Sequence, residues 1–346
     1  MDVSLTLEHL ENGPTQGRVL LGFDAFIDRI CRSVSGLGGG RIESMTEMGE
    51  RLSARREKSG NLTLRQISER MGGNVPNTAN VLSSLGAEVA CIGAFGRDEI
   101  RRPFAPLAER CRLISYAEPG SCIALEFARC KLFLGENAEL DDLTWSDLTQ
   151  RVGMETLLRE FGAADLIGLF NWGELRSTQR FWEGLASDVL PCLPRRARTF
   201  FVDFSDMSGR GAEEIRQMLD TLRRFRQYGR MIVSVNRGEW DSLGEALCGD
   251  LGEEDAVVMH APTEALLHAR SGQVRLTTRF SKHPALLIGG GDSFNAGFCF
   301  GLLSGLSPQD CLKTANAAAS LYIRTGRAPQ KEELLCEIRQ CRELWG

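Results

Sequence analysis

Short runs that are apolar from end to end recur along this chain, each followed by a segment of helix length. Arg18–Phe23, Glu88–Gly93, Asp165–Phe170, Thr199–Asp203, Met231–Val235 and Ala256–Met259 are the clearest. A strand with one wet face alternates polar and apolar residues. A run without alternation needs both faces covered, as in a parallel sheet between two helix layers. Parallel neighbours also need crossover connections, which the helix-length spacers supply. The expected fold class is therefore α/β: a doubly wound, mostly parallel sheet in three layers, αβα. Pro76–Leu85, with Ala79, Leu82 and Leu85 on one face, reads as one of its helices.

Two stretches break this rhythm. Residues 35–70 are rich in Gly, Ser and charge, with a helix expected over 43–56. Ser121–Leu134 alternates and reads as a hairpin. With their flanks, insertions of approximately 30–70 and 115–137 are expected to meet as a small β-rich lid over the sheet edge. Residues 1–346 together are expected to form a single domain that carries these insertions. Plain surface decoration is the alternative reading of both insertions.

Composition removes several function classes. The chain is 42% apolar and 25% charged, an ordinary globular balance, and no apolar run approaches the ~18 residues that span a bilayer. Met1–Leu10 has no basic segment followed by an apolar one, so no secretory signal and no membrane partner are expected. A net charge of −5 argues against binding a nucleic-acid backbone, although local dipoles can still hold a small anion. Clusters such as Arg195–Arg198 read as solvated faces. Eleven cysteines without a CxxC pair fit reduced thiols and a cytoplasmic location. The four histidines His9, His260, His268 and His283 show no zinc spacing.

The chemistry concentrates in Ile288-Gly-Gly-Gly-Asp-Ser-Phe-Asn-Ala-Gly-Phe298, three glycines and an acid before a helical segment expected over 294–303. Glycines let backbone approach a ligand closely. The amides at the helix start then converge on one spot, where the dipole favours an anion. Asp292 there is placed to accept a proton from a hydroxyl beside a transferring phosphate. An aspartate at this position also reads as a simple helix cap. The segment is not a P-loop, since no Gly-Lys-Ser/Thr follows, and Phe294 stands where a dinucleotide fingerprint needs its third glycine.

Two further segments carry polar groups at strand-to-helix junctions. Asn236 and Glu239 follow an apolar strand. They read as a carboxylate site for hydrated Mg2+ or as a capping box. Met71-Gly-Gly-Asn-Val-Pro-Asn77 opens the helix over 76–85 with amide side chains that suit sugar hydroxyls; a glycine turn with an Asn cap is the alternative.

Together, Gly289–Asp292 with Phe294 and Gly297-Phe298, the Asn236–Glu239 pair and the Gly73–Asn77 run resemble the signatures of PfkB, or ribokinase-like, carbohydrate kinases. The likeness runs from about Arg18 to Arg327. Such a kinase transfers the γ-phosphate of ATP to a hydroxyl of a sugar or sugar-like molecule. The resemblance implies Asp292 as catalytic base and Gly289, Gly290 and Gly291 as anion hole. It implies Gly73, Asn74 and Asn77 as substrate contacts, joined by an aspartate after the first strand. Asp24 and Asp28 are both candidates, with Asp28 preferred. It further implies Asn236, Asp203 and Asn316 at the nucleotide, and Glu239 at Mg2+ through water. A monovalent cation and a homodimer through the lid hairpin complete what it implies. The chain departs from the family pattern at Leu286–Ile288 and at His260, Pro262 and Glu264 in the 259–265 nucleotide loop. A nucleoside or vitamin-like alcohol as acceptor, or a silent sugar- or nucleotide-binding protein, are the rival readings.

Overall fold

The computed structural model describes residues 3–12, 17–128, 130–279, 281, 284–286 and 289–345. Leu287, Ile288 and His283 from the sequence argument lie outside them. The chain opens with α1 (Val3–Asn12), β1 (Arg18–Gly22), β2 (Phe26–Gly36), α2 (Met45–Arg55), β3 (Leu62–Gly72), α3 (Asn74–Ser84) and β4 (Glu88–Gly93). Next come α4 (Ala105–Ala108), β5 (Arg112–Ser115), β6 (Gly120–Glu126), β7 (Lys131–Glu136), α5 (Ala138–Asp141), α6 (Trp145–Val152) and α7 (Met154–Ala163). The second half runs β8 (Leu166–Phe170), α8 (Ser177–Gly184), β9 (Thr199–Asp203), α9 (Ala212–Phe225), β10 (Arg230–Asn236) and α10 (Arg237–Gly249). It ends with β11 (Ala256–His260), β12 (Glu264–Ala269), β13 (Gly272–Thr277), α11 (Gly290–Leu303), α12 (Pro308–Thr325), α13 (Lys331–Gln340) and α14 (Arg342–Trp345).

The large sheet has nine strands in the order β13-β12-β11-β10-β9-β8-β1-β4-β5. From β5 to β11 all neighbours are parallel; β12 and β13 add an antiparallel edge. The strands that read as apolar throughout are the central ones, and β8 and β9 are buried at every residue. Strand order reverses between β1 and β8. The chain builds outward through β4 and β5, then returns to the other side of β1. In open sheets the crevice outside the carboxyl ends at such a reversal is where ligands bind. Gly22, Phe170, Asp203, Asn236 and His260 end the strands around that point.

A second, four-stranded sheet in the order β3-β2-β6-β7 stands apart from the first. Residues 35–70 thus hold the end of strand β2, helix α2 and most of strand β3, where the sequence showed only the helix. Strand β3 is half-exposed with charge on both faces, so it carries no alternation to read. The expected hairpin is β6–β7, and a minor core of Ile42, Leu125 and Phe127 underlies this sheet. The 259–265 run is the end of β11, a tight turn closed by Ala261 N–H to the Glu264 carbonyl at 2.9 Å, and the start of β12. Helix α11 begins four residues before the expected start. Glycine is a poor helix former, yet Gly290 and Gly291 make its first turn.

Candidate functional site

Gly289 caps α11 in the left-handed region, at φ 83°. A Cβ there would lie 2.9 Å from the Tyr322 hydroxyl, one at Gly290 3.0 Å from Ile323, and one at Gly291 3.1 Å from the His260 ring. A side chain at any of the three would push against Tyr322, Ile323 or His260, and at Gly289 would also strain the left-handed backbone, so glycine keeps the turn as bare backbone. The first bond inside the helix runs from Ser293 N–H to the Gly289 carbonyl at 2.9 Å. The amides before it are the ones a helix leaves free, at its positive end.

Two cavities meet at this helix start. One of about 510 Å³ is lined by Gly289–Gly291, Phe294, Ala319 and Ile323, with Asn236, His260, Arg279 and Asn316 among its polar side chains. The other, of about 590 Å³, is lined by Asp292, Asn74, Asn77, Gly73, Asp28 and residues of the following loops. The glycine turn faces the first and the Asp292 carboxylate the second.

Asp292 accepts hydrogen bonds from Asn74 Nδ2 at 3.0 Å and Asn77 Nδ2 at 2.9 Å, both from the first turn of α3. Removal from water raises its pKa well above the usual carboxylate range. The Asn77 bond opposes that, Asp203 and Asp24 add to it, and the Asn74 bond opposes it again. Asn74 is aimed in turn. Asn74 Oδ1 accepts from the Ser205 hydroxyl at 2.9 Å, and Ser205 N–H donates to Asp203 at 2.9 Å. Asp203 accepts from Asn295 Nδ2 at 2.6 Å, and Asn295 Oδ1 from the Ser234 hydroxyl at 2.6 Å. The ends of β9 and β10 are thereby tied to α3 and α11 around the carboxylate.

Asp24 and Asp28, indistinguishable in kind from the sequence, separate in space. Asp24 is fully buried and lines neither cavity. It accepts from Asn74 N–H and Val75 N–H, both at 2.8 Å, and from Asn171 Nδ2 at 3.0 Å, so it caps α3. Asp28, on β2, lines the larger cavity. Burial raises its pKa, against the pull of Arg70 and Lys131. A Cβ at Gly72 would lie 2.4 Å from the Asp28 carboxyl, and one at Gly73 (φ 93°) 2.7 Å from that of Asp24. The paired glycines let β3 turn into α3 directly against both acids.

Asn236 caps α10. It accepts from Glu239 N–H at 3.0 Å and donates through its own N–H and Nδ2 to the Glu239 carboxylate at 2.9 and 2.6 Å. The capping box is real, and Asn236 still borders the smaller cavity. Glu239 lies behind it, 7% exposed, its pKa pushed up to about 8 by burial and then by Asp203. No cation pairs with it among the described residues. No group of three or more His, Cys, Asp or Glu able to cage a metal occurs among the described residues either. The oxygen donors that are present suit a hard cation keeping most of its waters. Asn316, on α12, is buried against the smaller cavity, and neither atom of its amide has a partner among the described residues.

Sequence reasoning missed Asn137, Glu174, Arg176, Asp206 and Arg210 in the larger cavity. Glu174 and Asp206 follow β8 and β9 within a few residues, so their place at the carboxyl ends of parallel strands is the signal that could have found them. His260, which departs from the family pattern, packs on Phe294 with ring centroids 5.1 Å apart, and burial lowers its pKa. Glu264 is drawn away from the cavity by ion pairs to Arg237 and Arg275.

The profile of a family described as prokaryotic ketohexokinase matches residues 2–340. A ketohexokinase of Haloferax volcanii is 29% identical over 338 residues, covering 92% of this chain and 90% of its own. A carbohydrate kinase from Agrobacterium tumefaciens superposes with a TM-score of 0.63 at 17% identity, over 95% of this chain and 97% of that one. A putative ribokinase II from E. coli in complex with ATP and Mg2+ gives 0.63 at 13% identity, over 94% and 99%. At these identities the two structures establish the ribokinase-like fold. No helix among the described residues is long and apolar enough to cross a membrane.

Proposed function

The chain belongs to the prokaryotic ketohexokinase family and is an ATP-dependent sugar kinase; from that premise we propose that its acceptor is a ketohexose and that Asp292 activates the reacting hydroxyl. One observation carries the residue assignment: a desolvated carboxylate and a bare glycine turn occupy opposite sides of one helix start, each facing its own cavity.

In this reading Asp28 and Asn77 orient the sugar in the larger cavity, with Gly73 and Asn74 shaping its wall. Asp292 takes the proton from the attacking hydroxyl. The amides of the Gly289–Asp292 turn face the transferring phosphoryl group, whose charge spreads over its equatorial oxygens. The adenine side lies between Phe294, Ala319 and Ile323, with Asn316 offering its amide. Asn236 and Glu239 would hold the hydration shell of Mg2+, which when bound with ATP supplies charge neutralisation on the phosphates. Asp203 acts through Asn295 and Ser205 rather than on the nucleotide directly.

Three finer points belong to the same reading. A monovalent cation is part of this reading, with no site assigned to it; equal rates with and without potassium would remove it. The small sheet, with open edges at β3 and β7 and exposed Val34, Ile67 and Leu134, pairs with a second copy; a monomeric mass by sedimentation would remove that. The eleven free cysteines fit a reducing cytoplasm, checked by cell fractionation. The deciding experiment is ATP-dependent phosphorylation of a panel of ketohexoses, aldohexoses, nucleosides and vitamin-like alcohols. Fructose-type ketoses are expected to lead. Turnover confined to a nucleoside would overturn the acceptor assignment, and no turnover of any member would favour a silent binding protein.

A further inference from the structure

Helix α12 lines the smaller cavity with Asn316 and, one turn on, with Ser320. The two differ in what they offer a base. Neither atom of the Asn316 amide has a partner among the described residues, so nothing fixes which way round it faces. A free amide presents a donor and an acceptor in either order. Turned one way, it meets a ring nitrogen and the 6-amino group of adenine. Turned the other way, it meets the 6-oxo group and N1–H of hypoxanthine or guanine. Asn316 alone therefore accepts both classes of purine.

Ser320 is fixed where Asn316 is free. It is 7% exposed, and its hydroxyl donates to Glu337 Oε1 at 3.1 Å. Glu337, on α13, is itself buried and surrounded by donors. Arg279 Nη1 lies 3.2 Å from each of its oxygens, Arg324 Nη2 bonds it, and the Cys341 thiol lies 3.9 Å from Oε1. A carboxylate paired with two guanidinium groups has only lone pairs to offer. The proton of the Ser320 hydroxyl is thereby committed to Glu337, and the hydroxyl is left to the cavity as an acceptor.

We propose that Ser320, oriented by Glu337, makes this kinase select a 6-amino purine nucleotide over a 6-oxo one. An amino group carries two hydrogens, one for Asn316 Oδ1 and one for Ser320 Oγ. A 6-oxo group sets its own lone pairs against those of Ser320 and leaves both buried without a donor, which is costly. Ser320 is the specificity residue. Glu337 does not line the cavity and acts through Ser320, as a positioning residue. The inference rests on the reading above that the base lies beside α12.

The test is calorimetric titration of the full chain with Mg-ATP and with Mg-ITP, on wild type, Ser320→Ala, Glu337→Gln and Asn316→Ala. ITP carries hypoxanthine, so it has the 6-oxo group without the 2-amino group of guanine. Wild type is expected to bind ATP about ten- to hundredfold more tightly than ITP, the effect of one or two buried polar groups left unpaired. Ser320→Ala should bring the two affinities to within about threefold of each other. In Glu337→Gln the new amide can donate to Ser320 Oγ and free the hydroxyl proton for an oxo group. ITP should then gain on ATP, whereas a merely structural role for Glu337 would weaken both alike. Equal affinities in wild type would overturn the proposal. So would a preference for ATP that survives Ser320→Ala in a variant whose melting temperature shows it folded. If that variant does not fold, Ser320→Cys, with its weakly accepting thiol, is read in its place. Weaker ATP binding in Asn316→Ala with an unchanged ATP-to-ITP ratio in Ser320→Ala would overturn the Ser320 assignment and leave the base beside α12. No change in either variant would place the base elsewhere and overturn both.

Discussion

The two cavities that meet at the start of α11 are built on opposite plans. The larger one is a wired polar site: Asn74, Asn77 and Asp292 are held in one hydrogen-bond chain through Ser205, Asp203 and Asn295. The smaller one is a shaped slot of glycine backbone, Phe294, Ala319 and Ile323, where Asn316 has no partner among the described residues. A sugar is recognised by many hydroxyls, which need fixed donors and acceptors. A nucleotide presents a flat base and phosphates, which need space, amides and a helix end. The difference predicts that side-chain changes on the sugar side act on chemistry and orientation, whereas changes on the nucleotide side act mainly on affinity.

The hardest blow to the wired side is Asp292→Asn. The base contributes about 10²–10⁴-fold where proton transfer is catalysed, so kcat should fall by about that factor in steady-state assays while the KM for ATP holds. Stability should move the other way. The folded-state pKa of Asp292 is raised by burial, so folding favours the protonated form and the charge present at neutral pH is a stability cost. Asp292→Asn should therefore melt no lower than wild type near pH 7. In wild type, kcat/KM for the sugar should fall as pH drops through that raised value. Its acid limb should thus lie above the ~3.9 of an ordinary aspartate. An acid limb at the ordinary value, or full activity in the Asn variant, would break the assignment.

Asp28 and Asp24 sharpen the comparison within the wired side. Asp28 faces the cavity, so Asp28→Asn should raise the KM for the sugar by about 10- to 100-fold, one charged hydrogen bond or two, with little change in melting temperature. Asp24 faces three donors and no cavity. Asp24→Ala leaves those donors buried and unpaired, and should cost about 3 kcal/mol or more in chemical denaturation. The reverse pattern, with Asp24→Ala stable but defective for sugar, would exchange their roles.

The same contrast explains what could be read in advance. Central strands such as β8 and β9 were legible because burial on both faces leaves an unbroken apolar run. The Gly73–Asn77 and Gly289–Asp292 segments were legible because close backbone approach demands glycine and hydroxyl recognition demands amides. Strand β3 was not, since a half-exposed strand carrying Arg65, Glu69 and Arg70 obeys no alternation. The choice between Asp24 and Asp28 depended on where the chain leaves β1 of the large sheet for β2 of the small one, which no local pattern encodes. The slot side is hardest of all to read: Ala319, Ile323 and Phe294 look like any helix packing, and only Asn316 hints otherwise.

Asn316 gives the smallest and most discriminating effect. A buried amide with neither atom paired is a stability cost of about 1–3 kcal/mol in the free protein, tolerable when a ligand supplies the partner. Asn316→Ala removes both the cost and the contact. The ATP-free variant should then unfold at the same denaturant concentration as wild type or a higher one, while the KM for ATP rises by about tenfold or less and the KM for sugar stays put. A loss of stability in the ATP-free variant would mean that the amide is satisfied within the fold. The slot would then recognise its base without this amide, and the division between a wired and a shaped cavity would be the sharper for it.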